Sequence, residues 1–216
     1  PSPATSTRTG GRRWSSANPP EPVDISKIGS APEWIEQPRA PANGAGMHRF
    51  VWSLHYPSLT EPANAYADGA WAPPGQYTVE LRVDGQTFTQ ALTVSPDPRV
   101  DLAPAGYAAA FTLARKVEAL QARIGEARQQ ATALRKALAE KQAAATDPAT
   151  RRKLAKLETD LNAISGSTPV PNPINAWAFP PKSTRSLTYL DRALGQLFGT
   201  IESADAAPSP DATAGA

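Results

Sequence analysis

Two histidines, a pair of aspartates and a scatter of tryptophans are the residues of this 216-residue chain that could do chemistry. His48 and His55 are seven apart on or beside one candidate strand, where an odd spacing sends side chains to opposite faces. They cannot ligate one metal together, and no third ligand accompanies either. Asp97 and Asp101 flank Pro98-Arg99. Two carboxylates so placed could hold calcium or work as an acid/base pair. The ordinary reading is an Asx turn followed by negative charge at a helix start.

Trp34, Trp52, Trp71 and Trp177 could stack on sugar rings. Trp52 alternates with Phe50 and Leu54, a core pattern. Trp71, in Ala70-Trp71-Ala72-Pro73-Pro74, is the best remaining candidate for ligand contact, with Trp34 behind it. Gly10-Gly11 and Gly44-Ala45-Gly46 lack the strand-helix context of a phosphate loop, and no nucleophile elbow or dinucleotide fingerprint occurs. The expectation is no catalytic residue, no metal and no cofactor, hence no enzyme within this segment.

Composition narrows the partners. Lys+Arg number 22 against 20 Asp+Glu, and the short basic groups (Arg12-Arg13, Arg115-Lys116, Arg151-Arg152-Lys153) lie far apart. That argues against a nucleic-acid stripe. There is no cysteine, which removes disulfides and thiolate chemistry. No apolar run approaches the ~20 residues of a membrane-spanning helix, and no signal peptide opens the chain. Beginning at Pro1, the chain reads as a processed or excised piece of something longer.

The elements that would position these residues change character along the chain. Prolines crowd residues 1–74 and 169–181, whereas none lies between Ala105 and Thr146. Residues 1–46 read as an irregular Pro-rich segment, with a short strand near 12–15 and with Ile28 and Trp34 pinning it to a surface. Residues 47–98 read as a β-sandwich. Phe50, Trp52 and Leu54 alternate, as do Tyr77, Val79, Leu81 and Val83, the period of a sheet with one buried face. Asp84-Gly85 then marks a tight hairpin to the strand carrying Phe88, Leu92 and Val94. Three secure strands and one doubtful one fall short of the seven of an immunoglobulin-like sandwich, so its first strands are expected upstream of residue 1.

Residues 99–203 switch to helical spacing. Val117, Leu120, Ile124, Ala127, Ala131, Leu134 and Leu138 follow a 3,4 repeat. So do Leu154, Leu157, Leu161 and Ile164, and again Leu187, Leu190, Leu194, Leu197 and Ile201. Helices are expected at about 105–145, 149–165 and 184–202, with Asp147-Pro148 breaking the first and starting the second. Trp177 and Phe179 are expected to cap the bundle. Residues 204–216 read as a disordered tail. The fold class is thus α+β: a partial immunoglobulin- or fibronectin type III-like sandwich, then an antiparallel helical hairpin or three-helix bundle.

Residues 46–100 carry a resemblance: Gly46-Met47-His48-Arg49-Phe50-Val51-Trp52, Leu54, Tyr56-Pro57, Pro73-Pro74-Gly75-Gln76-Tyr77-Thr78-Val79, Asp84-Gly85-Gln86-Thr87-Phe88 and Asp97-Pro98-Arg99-Val100. This stretch resembles the C-terminal region of bacterial exported proteins of glycosyl hydrolase type, with neuraminidase-like (Asp-box) or sortilin-like β-propeller repeats. The family places the propeller first, then the sandwich, then antiparallel helices. Ser53 and His55 stand where the family usually has an acid and a base, so an ion pair there is not carried over. No Asp-box occurs, and no catalytic residue transfers to this chain.

The resemblance implies an exported protein and a non-catalytic accessory module for docking, spacing or assembly, with the chain's own upstream propeller as partner. Two alternatives stand beside it. One is a carbohydrate-binding module whose glycan meets loop aromatics. The other is a stand-alone assembly protein forming an oligomer through its helices.

Overall fold

The computed structural model describes residues 24–25, 31–34, 41–60, 68–166 and 185–215. The candidate strand at 12–15, Ile28, Trp177 and Phe179 lie outside them. The described chain is α+β: two separate two-stranded antiparallel sheets and four helices.

Strands β1 (His55–Pro57) and β2 (Asp68–Trp71) form the first sheet, pairing His55 with Trp71 and Pro57 with Asp68. The alternating run from Arg49 is not the strand it suggests. Main chain through Leu54 is irregular, Leu54 takes a positive φ of 59°, and only three residues reach extended pairing. Phe50 and Leu54 are consequently exposed, and Trp52 is half-buried. A positive φ is costly for a bulky residue. Here it turns the chain so that Leu54 C=O accepts the Ala72 amide at 2.7 Å.

Strands β3 (Gly75–Val83) and β4 (Gln86–Val94) form a nine-pair hairpin. Its two-residue loop is Asp84 (φ 50°) and Gly85 (φ 76°), both left-handed as a type I′ turn requires. Its alternation puts Tyr77, Val79, Leu81, Val83, Phe88, Leu92 and Val94 on one face. Only the base of that face is covered. Tyr77 meets Trp52 edge-on at 5.5 Å and donates its hydroxyl to Pro73 C=O. Val79, Leu81, Val83 and Phe88 stay about half exposed. Among the described residues the strands pair into two separate two-stranded sheets, so the expected sandwich does not appear in the pairing.

Helix α1 (Pro104–Ala144) is 41 residues long, about 60 Å at 1.5 Å per residue. Asp147 caps α2 (Pro148–Ser165), accepting the Thr150 amide at 2.8 Å, with Pro148 at the first helical position. Gly166 ends α2 in the left-handed conformation, φ 69°, the usual place for glycine. Ser186 caps α3 (Leu187–Glu202).

The three helices do not share one cross-section. Helix α2 returns along the distal half of α1, with Arg135 donating to Asn162 and Ser165, and Gln142 to Glu158. Helix α3 takes over where α2 stops: Thr188 donates to Ser165 C=O at 2.7 Å. It then follows the proximal half of α1, with Arg128 paired to Asp191. The return arm is thus one path in two pieces, and at each level α1 meets one helix. The three-helix-bundle expectation fails because α2 and α3 divide the length of α1 between them.

Burial follows that division. Leu113, Ala114, Val117, Ile124, Leu194 and Ile201 form the core together with Ala70 from β2. Beyond Ala131 the repeat of α1 loses its cover: Leu134 is exposed, as are Leu157 and Ile164 on α2. The tail, read as disordered from composition, carries a six-residue helix α4 (Pro210–Gly215) capped by Ser209, and Ala212 packs against the core.

Candidate functional site

The described side chains that carry chemistry converge where the first sheet sits on α1 and α3. Ala70 is fully buried against that core, which brings the backbone of β2 between two glutamates. Gly69 must be glycine here. A Cβ would lie 2.7 Å from Glu118 Oε1 and 2.8 Å from Pro57 C=O, below any real contact.

Glu118 on α1 is 3% exposed at its side chain, and its Oε2 accepts from Arg115 at 2.8 Å. The same Arg115 nitrogen donates to Pro57 C=O at 2.8 Å, and the guanidinium lies 5.8 Å above the Tyr56 ring. Tyr56 in turn packs on Phe111 at 4.9 Å. Glu118 Oε1 is buried without a well-formed hydrogen bond among the described residues. Burial raises its pKa above the ordinary carboxylate range. The Arg115 charge and the nearby Ala70 and Leu59 amides pull the other way without offsetting it.

Glu202, at the end of α3, accepts the Trp71 amide at 2.8 Å. Burial is again the first cause of its raised pKa, and the Glu118 charge adds to it. Both acids are occupied as clasps on one strand: one from below Gly69, the other at the Trp71 amide. They are not arranged as an acid/base pair facing solvent.

Outside the clasp lies an open cleft of about 380 Å³. Its walls include Trp71, Pro73, Pro74, Asp97, Tyr107, Phe111, Glu202 and Asp205. Trp71 is 46% exposed, and one face of its ring lies against His55 at 3.7 Å. The Tyr107 hydroxyl is buried without a partner among the described residues. Its pKa is raised by burial and then by the charges of Asp205 and Asp97.

Of the residues singled out from sequence, Trp71 and Asp97 line the cleft and His55 stacks on Trp71, whereas His48 and Trp34 lie elsewhere. Trp34 sits in a single helical turn (Pro32–Trp34), is 82% exposed and does not line the cleft. His48 bonds Gly44 C=O, while His55 bonds Ser53 C=O and faces Asp68 at 3.4 Å. Asp97 makes the Asx turn, accepting the Arg99 amide at 2.9 Å, and is paired with the Arg99 guanidinium.

Sequence reading missed Arg115, Glu118 and Glu202. The available signal was Glu118 beside Val117 in the apolar repeat, a charge where a helix turns its buried face. Among the described residues no three His, Cys, Asp or Glu side chains are grouped to hold a metal, and no helix is long and apolar enough to cross a membrane. No family model, curated protein or solved structure matches this chain.

Proposed function

We propose that this chain is a non-catalytic accessory module whose β3–β4 hairpin docks, apolar face inward, against further β-structure of an exported, propeller-bearing polypeptide. The observation that carries this reading is the bare face of Val79, Leu81, Val83 and Phe88. A lone two-stranded hairpin is marginal in water, and a contiguous exposed apolar patch of this kind marks an interaction site. Strands supplied from outside residues 1–216 would complete the immunoglobulin- or fibronectin type III-like sandwich that the resemblance implies. The clasp around Glu118 and Glu202 then serves as the rigid joint between that sandwich and the helices.

The test is environment-sensitive dye binding to the isolated chain. The wild type is expected to bind dye, and Leu81→Thr with Phe88→Thr to lose most of it while the helical melt stays put. Unchanged dye binding in the double variant, or hydrolytic turnover by the isolated chain, would sink the proposal.

A second reading rests on Trp71, whose half-exposed ring beside the cleft carboxylates of Asp97 and Asp205 suits a sugar's apolar face and hydroxyls. It predicts retention on some member of a broad glycan panel, weakened at least tenfold by Trp71→Ala, which is about 1.4 kcal/mol or more. No retention of the folded wild type on any member would remove it.

A further inference from the structure

We propose that β4 is a self-complementary edge, and that two copies of this chain join antiparallel through it, centred on Gln90, into one four-stranded sheet. This concerns the edge of the hairpin rather than its apolar face, so it stands independently of the docking reading above. It also differs from association through the helices, since it uses none of them.

The edge is unprotected. Strand β4 reads Gln-Thr-Phe-Thr-Gln-Ala-Leu-Thr-Val, without charge, proline or glycine in nine residues. Natural edge strands normally carry at least one such device against pairing. Strand β3 has one, since Glu80 and Arg82 form an ion pair at 2.5 Å on it. Among the described residues strand β4 neighbours β3 alone in its sheet.

Backbone alternation says which groups are on offer. Val83 and Gln86 close the two-residue loop, so they exchange both ladder bonds. Inward bonding then falls to Gln86, Phe88, Gln90, Leu92 and Val94, and Thr87, Thr89, Ala91 and Thr93 point N–H and C=O outward. Among the described residues the only bond on that outer row is a long one, from the Gln90 side chain to Ala91 C=O at 3.4 Å.

The occupant follows from the order of residues. With Gln90 on the two-fold axis, Phe88 faces the partner's Leu92, Thr89 the partner's Ala91 and Thr87 the partner's Thr93. The outward rows meet and supply about eight main-chain bonds. On one face Phe88 meets the partner's Leu92 on either side of a central Gln90–Gln90 pair, and on the other small threonine and alanine side chains meet. A one-residue slip would set Phe88 against the wrong face. Such a contact is isologous and closes at two copies. No charge lies in β4 to repel its copy, and the chain's net charge is only +2. One strand pair is a small interface, so the dimer is weak and concentration-dependent.

The absence of cysteine makes the register directly readable. Gln90 would sit opposite its own copy as a non-hydrogen-bonded pair, with Cα atoms about 4.5 Å apart, within disulfide reach. Thr87 and its copy would be about 20 Å apart, six residues at ~3.4 Å each. Under mild oxidation the full chain carrying Gln90→Cys is expected to cross-link to twice 22.8 kDa, and Thr87→Cys to remain single.

Ala91→Pro removes one outward N–H without touching the β3 ladder. It should hold the chain monomeric by light scattering at concentrations where the wild type associates. Three outcomes would overturn the proposal. The first is equal cross-linking of Thr87→Cys. The second is a wild type that stays monomeric and uncross-linked at Gln90→Cys. The third is slow amide exchange at Thr89 and Ala91 in a strictly monomeric sample, which would give the edge to another segment of the same chain.

Discussion

Replacing Glu118 with alanine should destabilise the chain by about 3–5 kcal/mol, because one partner of a buried pair is removed and the other stays. Arg115 would keep Pro57 C=O but lose its carboxylate, and the space under Gly69 would be left open. At ~2–4 °C per kcal/mol for a chain this size, the melting temperature should fall by roughly 6–20 degrees. A loss under ~1 kcal/mol would mean that the pair is solvated and that the first sheet is not held through it.

The pH profile gives this prediction a signature that simple cavity formation lacks. Glu118 and Glu202 both have raised pKa values, so the folded chain binds their protons more tightly than the unfolded chain does. Stability must therefore rise as pH falls from neutral through the raised values, and the gain is complete near the ordinary glutamate value of ~4.3. Further acidification reverses the trend. Asp97 is held low by the Arg99 side chain and Asp147 by the Thr150 amide, and each loses its contribution as pH falls through its folded value. Glu118→Gln should shrink the first limb to the part that the buried Glu202 contributes and leave the second. A profile identical to wild type would show that Glu118 does not carry it.

Gly166→Ala should be the next most damaging single change, at about 2–4 kcal/mol. Part of that is the ~1–2 kcal/mol that any Cβ costs in the left-handed region. The rest is crowding: the new Cβ would lie 2.5 Å from Ser186 Oγ and 2.7 Å from Ser186 Cβ, and Ser186 is the fully buried cap of α3. Thermal melts of this variant against Gly85→Ala, a left-handed glycine (φ 76°) with open space around it, separate the two causes. Equal effects would sink the argument that Gly166 is the hinge between the two pieces of the return arm.

Local rules were legible wherever the chemistry is local. Asp84-Gly85 can adopt the primed turn that few other pairs allow, and Asp147-Pro148 offers a cap and a ready-made first turn. Both stand where the residues say. The helical repeat around Val117 and Ile124 is equally real, because it answers to burial on one face.

What the sequence could not show is what each apolar face meets. Phe50 and Leu54 alternate like a strand, but a strand needs a neighbour, and Pro57 with the turn at Leu54 leaves pairing to three residues. Leu134, Leu157 and Ile164 keep the repeat of a core although their side chains remain exposed, since the distal contact is made through Arg135, Asn162 and Gln142. The glutamate clasp was hidden for a similar reason. Its partners are main-chain groups of a strand distant along the chain, and no spacing rule records those.

The division of the return arm also sets an order of opening. The proximal stretch, where α3 lies on α1, holds nearly all the buried carbon. The distal stretch is tied by polar bonds, most of them exposed, between segments close in sequence. Helix α2 can therefore peel from the far end of α1 without disturbing Val117, Leu194 or the clasp. Breathing of the pair begins at the Asp147 turn and travels inward, which makes that tip a natural point of entry for proteases and the core the last part to let go.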